Sequence, residues 1–183
     1  MRETLSEALA RLARFATAWG HPYALVGGGA IVARVQPRLT TDLDLVIAVP
    51  EGGADALLAL ARIHGYAFDE QETRELLEGG LVRLWGPPSV NEGIGVDLMF
   101  VDSAFLEQVV ERATPLDIAG ATLQVASVED LLLMKLEAGR PQDLDDAIAI
   151  KDAFGDRVDR AYLAAWARQL GIERELGSLL DPA

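Results

Sequence analysis

The sequence predicts an α/β (α+β) protein, with a mixed sheet flanked by helices to about residue 125 and an all-helical C-terminal third. Three observations predict it. Asp42–Val49 and Ile94–Val101 are short runs rich in β-branched and apolar residues, the signature of buried strands. Stretches with apolar residues three and four apart surround them and read as amphipathic helices. Beyond Val125 the helical spacing continues without another strand signal. The division expected is therefore a core over 1–125 and a helical subdomain over 126–183 packed on it.

Each element has a local reason. Leu5, Leu9, Leu12 and Phe15 line one face of a helix over 3–18, which Gly20, His21 and Pro22 end. Tyr23–Val26 is a short strand running into Gly27-Gly28-Gly29, Ala30–Val35 is helical, and Pro37 closes that helix. A strand from Asp42 to Val49 stops at Pro50 and Gly52-Gly53, and a helix over about 54–64 follows. Glu70–Glu78 reads as a polar helix, Leu81–Trp85 as a strand, and Gly86–Ser89 as a loop. After the 94–101 strand come a helix over about 103–111 and a hairpin, Leu116–Ile118 and Thr122–Val125, turning at Ala119-Gly120. Ser127-Val-Glu-Asp130 is a helix-capping pattern. Gly139 and Pro141 mark one helix end and the next start. Further helices cover about 141–153, 157–170 and 173–180. His21 and His64 follow or end helices and read as loop residues rather than ligands.

The chain has 183 residues, with 16 Lys+Arg against 29 Asp+Glu and a formal net charge of −13. Half of it is apolar, enough to form a core and to exclude a disordered chain. The acidity excludes a broad basic face coating nucleic acid. With no cysteine, disulfides, thiolate metal sites and thiol nucleophiles are excluded as well. No apolar run approaches the roughly 20 residues of a membrane helix, and no apolar signal core follows the first charges. A cytoplasmic protein with no membrane partner is the expectation.

The carboxylates carry the chemistry. Strand alternation puts Asp42 and Asp44 on one face and Leu43, Leu45 and Ile47 on the other. Two acids side by side in an apolar strand repel each other unless a cation lies between them. Asp97, between Val96 and Leu98, is a third acid in the same position on another strand. Such hard oxygen ligands suit Mg²⁺ or Mn²⁺. The blander reading is an exposed strand entrance and a solvated face. The glycines after Val26 favour the sharper one, because a strand turning straight into a helix presents backbone N–H groups at the helix's positive end.

Gly-Gly, about a dozen residues, Asp-Leu-Asp, and a third Asp on a later strand together resemble the nucleotidyltransferase superfamily with a polymerase-β-like core. Val26–Ala30 with Arg38-Leu-Thr-Thr-Asp-Leu-Asp44 resembles the toxin-type branch of small bacterial nucleotidyltransferases, which includes abortive-infection toxins of toxin–antitoxin pairs. Leu133–Asp146 is similar to that branch's C-terminal signature of Lys, Arg, Asp and a second Asp. The motifs span about residues 23–150. The resemblance implies that Gly27 and Gly28 face the triphosphate and that Asp42, Asp44 and Asp97 hold two metal ions, with Asp97 also activating the acceptor hydroxyl. It implies that Lys135 contacts triphosphate or acceptor, that Asp146 orients Lys135 or the base, and that Arg38 and Thr40 position the loop or touch phosphate. Gly29 stands where other small residues are usual, which leaves open which glycine meets phosphate, and Gln142 stands where a second cation is usual, which weakens the case for a phosphate or RNA contact at that point.

The function implied is transfer of a nucleoside monophosphate from an NTP to an acceptor hydroxyl, a transfer RNA 3′ end or a protein, with release of pyrophosphate. A protein antitoxin is the implied partner. The alternatives are a non-catalytic nucleotide- or metal-binding module acting through a partner, and a partner-bound subunit kept soluble by its acids. For individual residues, Lys135 could instead snorkel to solvent, and Asp143 reads first as an acid stabilising a helix N-terminus. Residues 1–40 carry five arginines against two acids, and the rest eleven cations against 27 acids. RNA would thus have to be gripped by a small arginine patch, with Arg34 and Arg38 the first candidates.

Overall fold

The computed structural model describes residues 3–35, 40, 42–87 and 93–180. In chain order the elements are α1 (Leu5–Trp19), β1 (Tyr23–Val26), α2 (Gly27–Arg34), β2 (Asp42–Ile47), α3 (Ala54–Ile63), α4 (Glu70–Leu77), β3 (Leu81–Trp85) and β4 (Gly95–Phe100). Then follow α5 (Ala104–Glu111), β5 (Thr114–Ile118), β6 (Ala121–Val125), α6 (Val128–Ala138), α7 (Pro141–Phe154), a 3₁₀ turn (Gly155–Arg157), α8 (Arg160–Leu170) and α9 (Glu173–Leu180).

The six strands form one mixed sheet in the order β3-β4-β2-β1-β6-β5. β2 runs parallel to β4 and β1 parallel to β6, and the remaining neighbours are antiparallel. On β2 and β4 the expected alternation holds: Leu43, Leu45, Ile47, Val96 and Leu98 are buried, and the three aspartates lie on the opposite face. α2 and α5 pack on β1 and β2, α1 on β6 and α4 on β3.

Caps fix the helix ends. Thr4 and Glu7 close a reciprocal capping box on α1, and Gly20 ends it in the left-handed region. Ser127 Oγ accepts from the Asp130 N–H to open α6, Gly139 ends that helix at φ +63°, and Pro141 starts α7. Two elements begin earlier than the sequence predicts. α2 starts at Gly27 itself, so the glycines form the first turn of the helix rather than a loop. β5 starts at Thr114 and includes Pro115, which an edge strand tolerates because its outer side needs no ladder donors.

α6 is the pivot of the C-terminal region. Leu131, Leu132 and Leu133 are all fully buried, so the helix is enclosed on nearly every side. It packs against α2, α7, α8 and α9. Its buried polar residues, Glu129, Asp130 and Lys135, are therefore paired. Asp130, fully buried, accepts from Tyr162 Oη at 2.5 Å and Ser127 Oγ at 2.6 Å. Arg112 reaches Glu129 at 3.2 Å and lies over the Tyr162 ring. Burial pushes the Asp130 carboxyl above its ordinary range. Residues of both halves of the chain belong to one hydrophobic core.

Candidate active site

The site lies where β1 turns into α2, beside β2 and β4 and under the junction of α6 and α7. Register brings the acids together. Asp44 is the direct neighbour of Asp97 across the parallel β2–β4 pair and of Val26 across the antiparallel β1–β2 pair. Asp42, two residues earlier on the same face, stands opposite Gly95. All three carboxylates, with Gly27, Gly28 and Thr40, line a cavity of about 710 Å³. That volume is within the roughly 300–1,000 Å³ usual for small-molecule sites.

The glycines make room for the carboxylates. Gly27 has φ +57°, and a Cβ there would overlap the Asp44 carboxylate. A Cβ on Gly95 would come within 2.6 Å of Asp42 Oδ1. The Gly28 N–H donates to the Asp44 carboxylate at the start of α2. Gly29 is turned elsewhere: its Cα packs between Leu43 and Leu25, where a Cβ would sit 3.2–3.3 Å from their methyls. Gly27 and Gly28 thus border the cavity, and Gly29 closes the helix onto the sheet. Thr40 Oγ1 donates to the Asp42 carbonyl at 2.7 Å and fixes the entry into β2. Arg38 lies outside the described residues.

Across the cavity, Lys135 is buried, 7% exposed, so it does not snorkel to solvent. Its Nζ lies 2.7 Å from Asp143 Oδ1 and 2.9 Å from Asp146 Oδ2. Two carboxylates from α7 need that cation because both are buried. Asp146 is 3% exposed, pairs with Lys135 and is not among the residues that line the cavity. Asp143 is more than the helix-end acid its position suggests. It also accepts from Arg140 Nε at 2.5 Å. Burial pushes its carboxyl up, but the bonds from Arg140 and Lys135 outweigh that and hold it below the ordinary range.

Asp44 moves the other way. Burial raises its carboxyl above the usual range, and the neighbouring Asp97 and Asp42 charges add to the rise, against the pull of Lys135 and the Gly28 N–H. Such crowding is what a divalent cation relieves, and a set of aspartate oxygens is chemically suited to Mg²⁺ or Mn²⁺. Among the described residues, however, no three His, Cys, Asp or Glu side chains are gathered closely enough to hold a metal ion.

The residue missed in the sequence is Arg83. It stands opposite Asp97 across the β3–β4 pair and grips that carboxylate with both prongs, Nε to Oδ1 at 2.7 Å and Nη2 to Oδ2 at 2.6 Å. The alternation of Leu81–Trp85 puts Arg83 on one face, but only the strand register shows that the face is this one. Arg140 belongs to the C-terminal signature, and the structure places it at the cavity rim with a largely exposed guanidinium. Arg34 corrects the expected RNA patch. Its guanidinium donates to the carbonyls of Ala126 (2.5 Å) and Val125 (2.7 Å) and to Thr114 Oγ1 (2.6 Å), tying α2 to the end of β6.

This fold is that of the nucleotidyltransferases. The antibiotic-resistance factor ANT(2″)-Ia in solution is similar with a TM-score of 0.60 and 16% identity, over 96% of this chain and 98% of that one. The same factor in complex with adenylyl-2″-tobramycin gives 0.59 and 16%, over 91% and 99%. The particular family comes from sequence: residues 8–177 match the nucleotidyl transferase AbiEii toxin family of type IV toxin–antitoxin systems, and the chain belongs to it. It is a nucleotidyltransferase of a toxin family whose systems pair toxin with antitoxin. No curated protein matches it in sequence. Among the described residues, no helix is long and apolar enough to cross a membrane.

Proposed function

We propose that the protein transfers a nucleoside monophosphate from an NTP to an acceptor hydroxyl in a divalent-metal-dependent reaction centred on Asp42, Asp44 and Asp97. One observation carries this reading: these carboxylates share one cavity wall with the start of α2, and Lys135 and Arg140 face them across it.

Asp42, Asp44 and Asp97 would hold Mg²⁺ or Mn²⁺, two ions by the family resemblance, which when bound supply positive charge to the reacting phosphate oxygens. The chain's own groups do the rest. The N-terminal turn of α2 directs its positive end at the triphosphate. Lys135, held in place by Asp143 and Asp146, presents a fixed cation to the triphosphate or the acceptor. The acceptor oxygen bonds to the α-phosphorus as the bond to the bridging oxygen breaks, pyrophosphate leaves with that electron pair, and Asp97 accepts the hydroxyl proton.

The acceptor we favour is an RNA 3′ end or a protein hydroxyl. The net charge of −13 limits RNA contact to a few side chains, and Arg140 at the rim replaces Arg34 as the candidate. An aminoglycoside, the compound class adenylylated in the ANT(2″)-Ia complex, serves as the comparison acceptor.

The test is a labelled-NTP transfer assay with Mg²⁺ or Mn²⁺ against RNA, protein and aminoglycoside acceptors. Asp42→Asn, Asp44→Asn and Asp97→Asn should each lower transfer at least about 100-fold. Wild-type protein that binds NTP and transfers to nothing would instead mark a binding module.

A further inference from the structure

The Arg83–Asp97 pair competes with the role proposed for Asp97. A carboxylate holds a metal ion or takes a proton through its oxygen lone pairs, two on each oxygen, and a cation already seated on them opposes the arrival of another. Here each Asp97 oxygen accepts a short bond from a different nitrogen of one guanidinium. This fork geometry is the strongest form of carboxylate pairing. Asp97 and Asp44 are also register neighbours, and facing side chains on paired strands stand about 5 Å apart. Without a counter-charge the two acids would repel each other. Arg83 supplies it, and Asp42 and Glu72 add to the field that keeps it protonated. Its side chain is 40% exposed at the edge strand of the sheet, so it has space to withdraw.

We propose, resting on the metal-dependent reading above, that Arg83 is a positioning residue that occupies Asp97 as a built-in counter-cation and is displaced when the divalent ion binds. The guanidinium takes one lone pair of each oxygen and its charge opposes a metal ion at the others, so the two compete for one carboxylate. The apparent metal affinity is lowered by the fraction of molecules in which the pair is closed. Once released, the guanidinium stays beside the carboxylates with its donors turned to the cavity, where phosphate oxygens or the acceptor can take them.

Mn²⁺ binding to the full chain without nucleotide, followed by paramagnetic resonance or calorimetry, tests this with Arg83→Gln and Arg83→Lys. Removing a positive charge would by itself attract a cation, so the lysine variant is decisive: it keeps the charge and loses the fork. Arg83→Gln should tighten Mn²⁺ about tenfold, and Arg83→Lys should tighten it by an intermediate factor. In the wild-type protein, the Arg83 Nε–H nuclear resonance should move from its carboxylate-bonded position as Mg²⁺ saturates, a readout that needs no variant to fold. A lysine variant binding Mn²⁺ like wild type, or an Nε–H resonance indifferent to Mg²⁺, overturns the displacement while leaving the proposed reaction standing. Wild-type protein that takes up no Mn²⁺ and transfers no nucleotide overturns both.

Discussion

Gly27 shows how closely backbone and chemistry are joined in this site. Its positive φ turns the chain from β1 into α2, and its missing side chain leaves the space filled by the Asp44 carboxylate. Gly27→Ala should therefore do two kinds of harm. The left-handed conformation alone costs about 1 kcal/mol or somewhat more, and the overlap must also displace Asp44. Gly20→Ala separates the two, because Gly20 has φ +72° with nothing within 4 Å of the added carbon. Urea titration should give Gly27→Ala the larger loss of stability, and the transfer assay should detect Gly27→Ala alone. Of this arrangement the sequence disclosed the participants but not the contact. Gly27, Asp42, Asp44 and Asp97 carry local signals, an excess of glycine or an acid in an apolar strand. Arg83 carries none, since an arginine on the polar side of a half-buried strand is ordinary until the register sets it against Asp97.

At the scale of elements, α6 and α7 are joined by charge as much as by apolar packing. Lys135 leaves α6 and is met by Asp143 and Asp146 of α7, one turn apart, while Arg140 covers Asp143 from the outside. The helix boundaries here were legible because Ser127, Gly139 and Pro141 are strong punctuation. The clamp was not, because i,i+3 acids near a helix start look like dipole partners when the buried lysine opposite them is unknown. The sign of its pH dependence follows from Asp143, whose carboxyl is held below the ordinary range in the folded state. A depressed acid stabilises the fold at any pH above its unfolded value, near 3.9, and loses that contribution as pH falls through the folded value. Asp143→Asn should therefore destabilise by about 2 kcal/mol at pH 7 and by the same amount at pH 5. The gap to wild type should narrow only below about pH 4, as urea titrations across that range would show. Arg34 teaches the complementary lesson. A cation beside the site motifs reads as a ligand for phosphate until the carbonyls at the end of β6 are seen to occupy it.

For the whole molecule, the division of the sequence near residue 125 is a change of secondary structure and not a break in the core. The sheet residues Leu25, Leu45 and Leu98 belong to the same apolar cluster as Leu131–Leu133 of α6 and Leu163 of α8. The cavity has walls from both sides of that division, Asp42, Asp44 and Asp97 on the sheet and Lys135 and Asp143 on the helices. Cooperative unfolding follows from shared burial: if the helices left, fully buried side chains of the sheet region would be exposed to water at about 25 cal/mol per Å² of apolar surface. The chain should thus unfold in one transition with equal calorimetric and van't Hoff enthalpies, about 130 kcal/mol near 60 °C for 183 residues. The tryptophans make the test local. Trp19 ends α1 and Trp85 ends β3, whereas Trp166 lies on α8 against Phe105 of α5. A protein retaining only Trp166 and one retaining only Trp19 and Trp85 should show coincident fluorescence midpoints in urea. Separate midpoints would mean that the helical region opens on its own, and Lys135 would then be carried to Asp42, Asp44 and Asp97 by a moving part rather than held across the cavity from them by the common core.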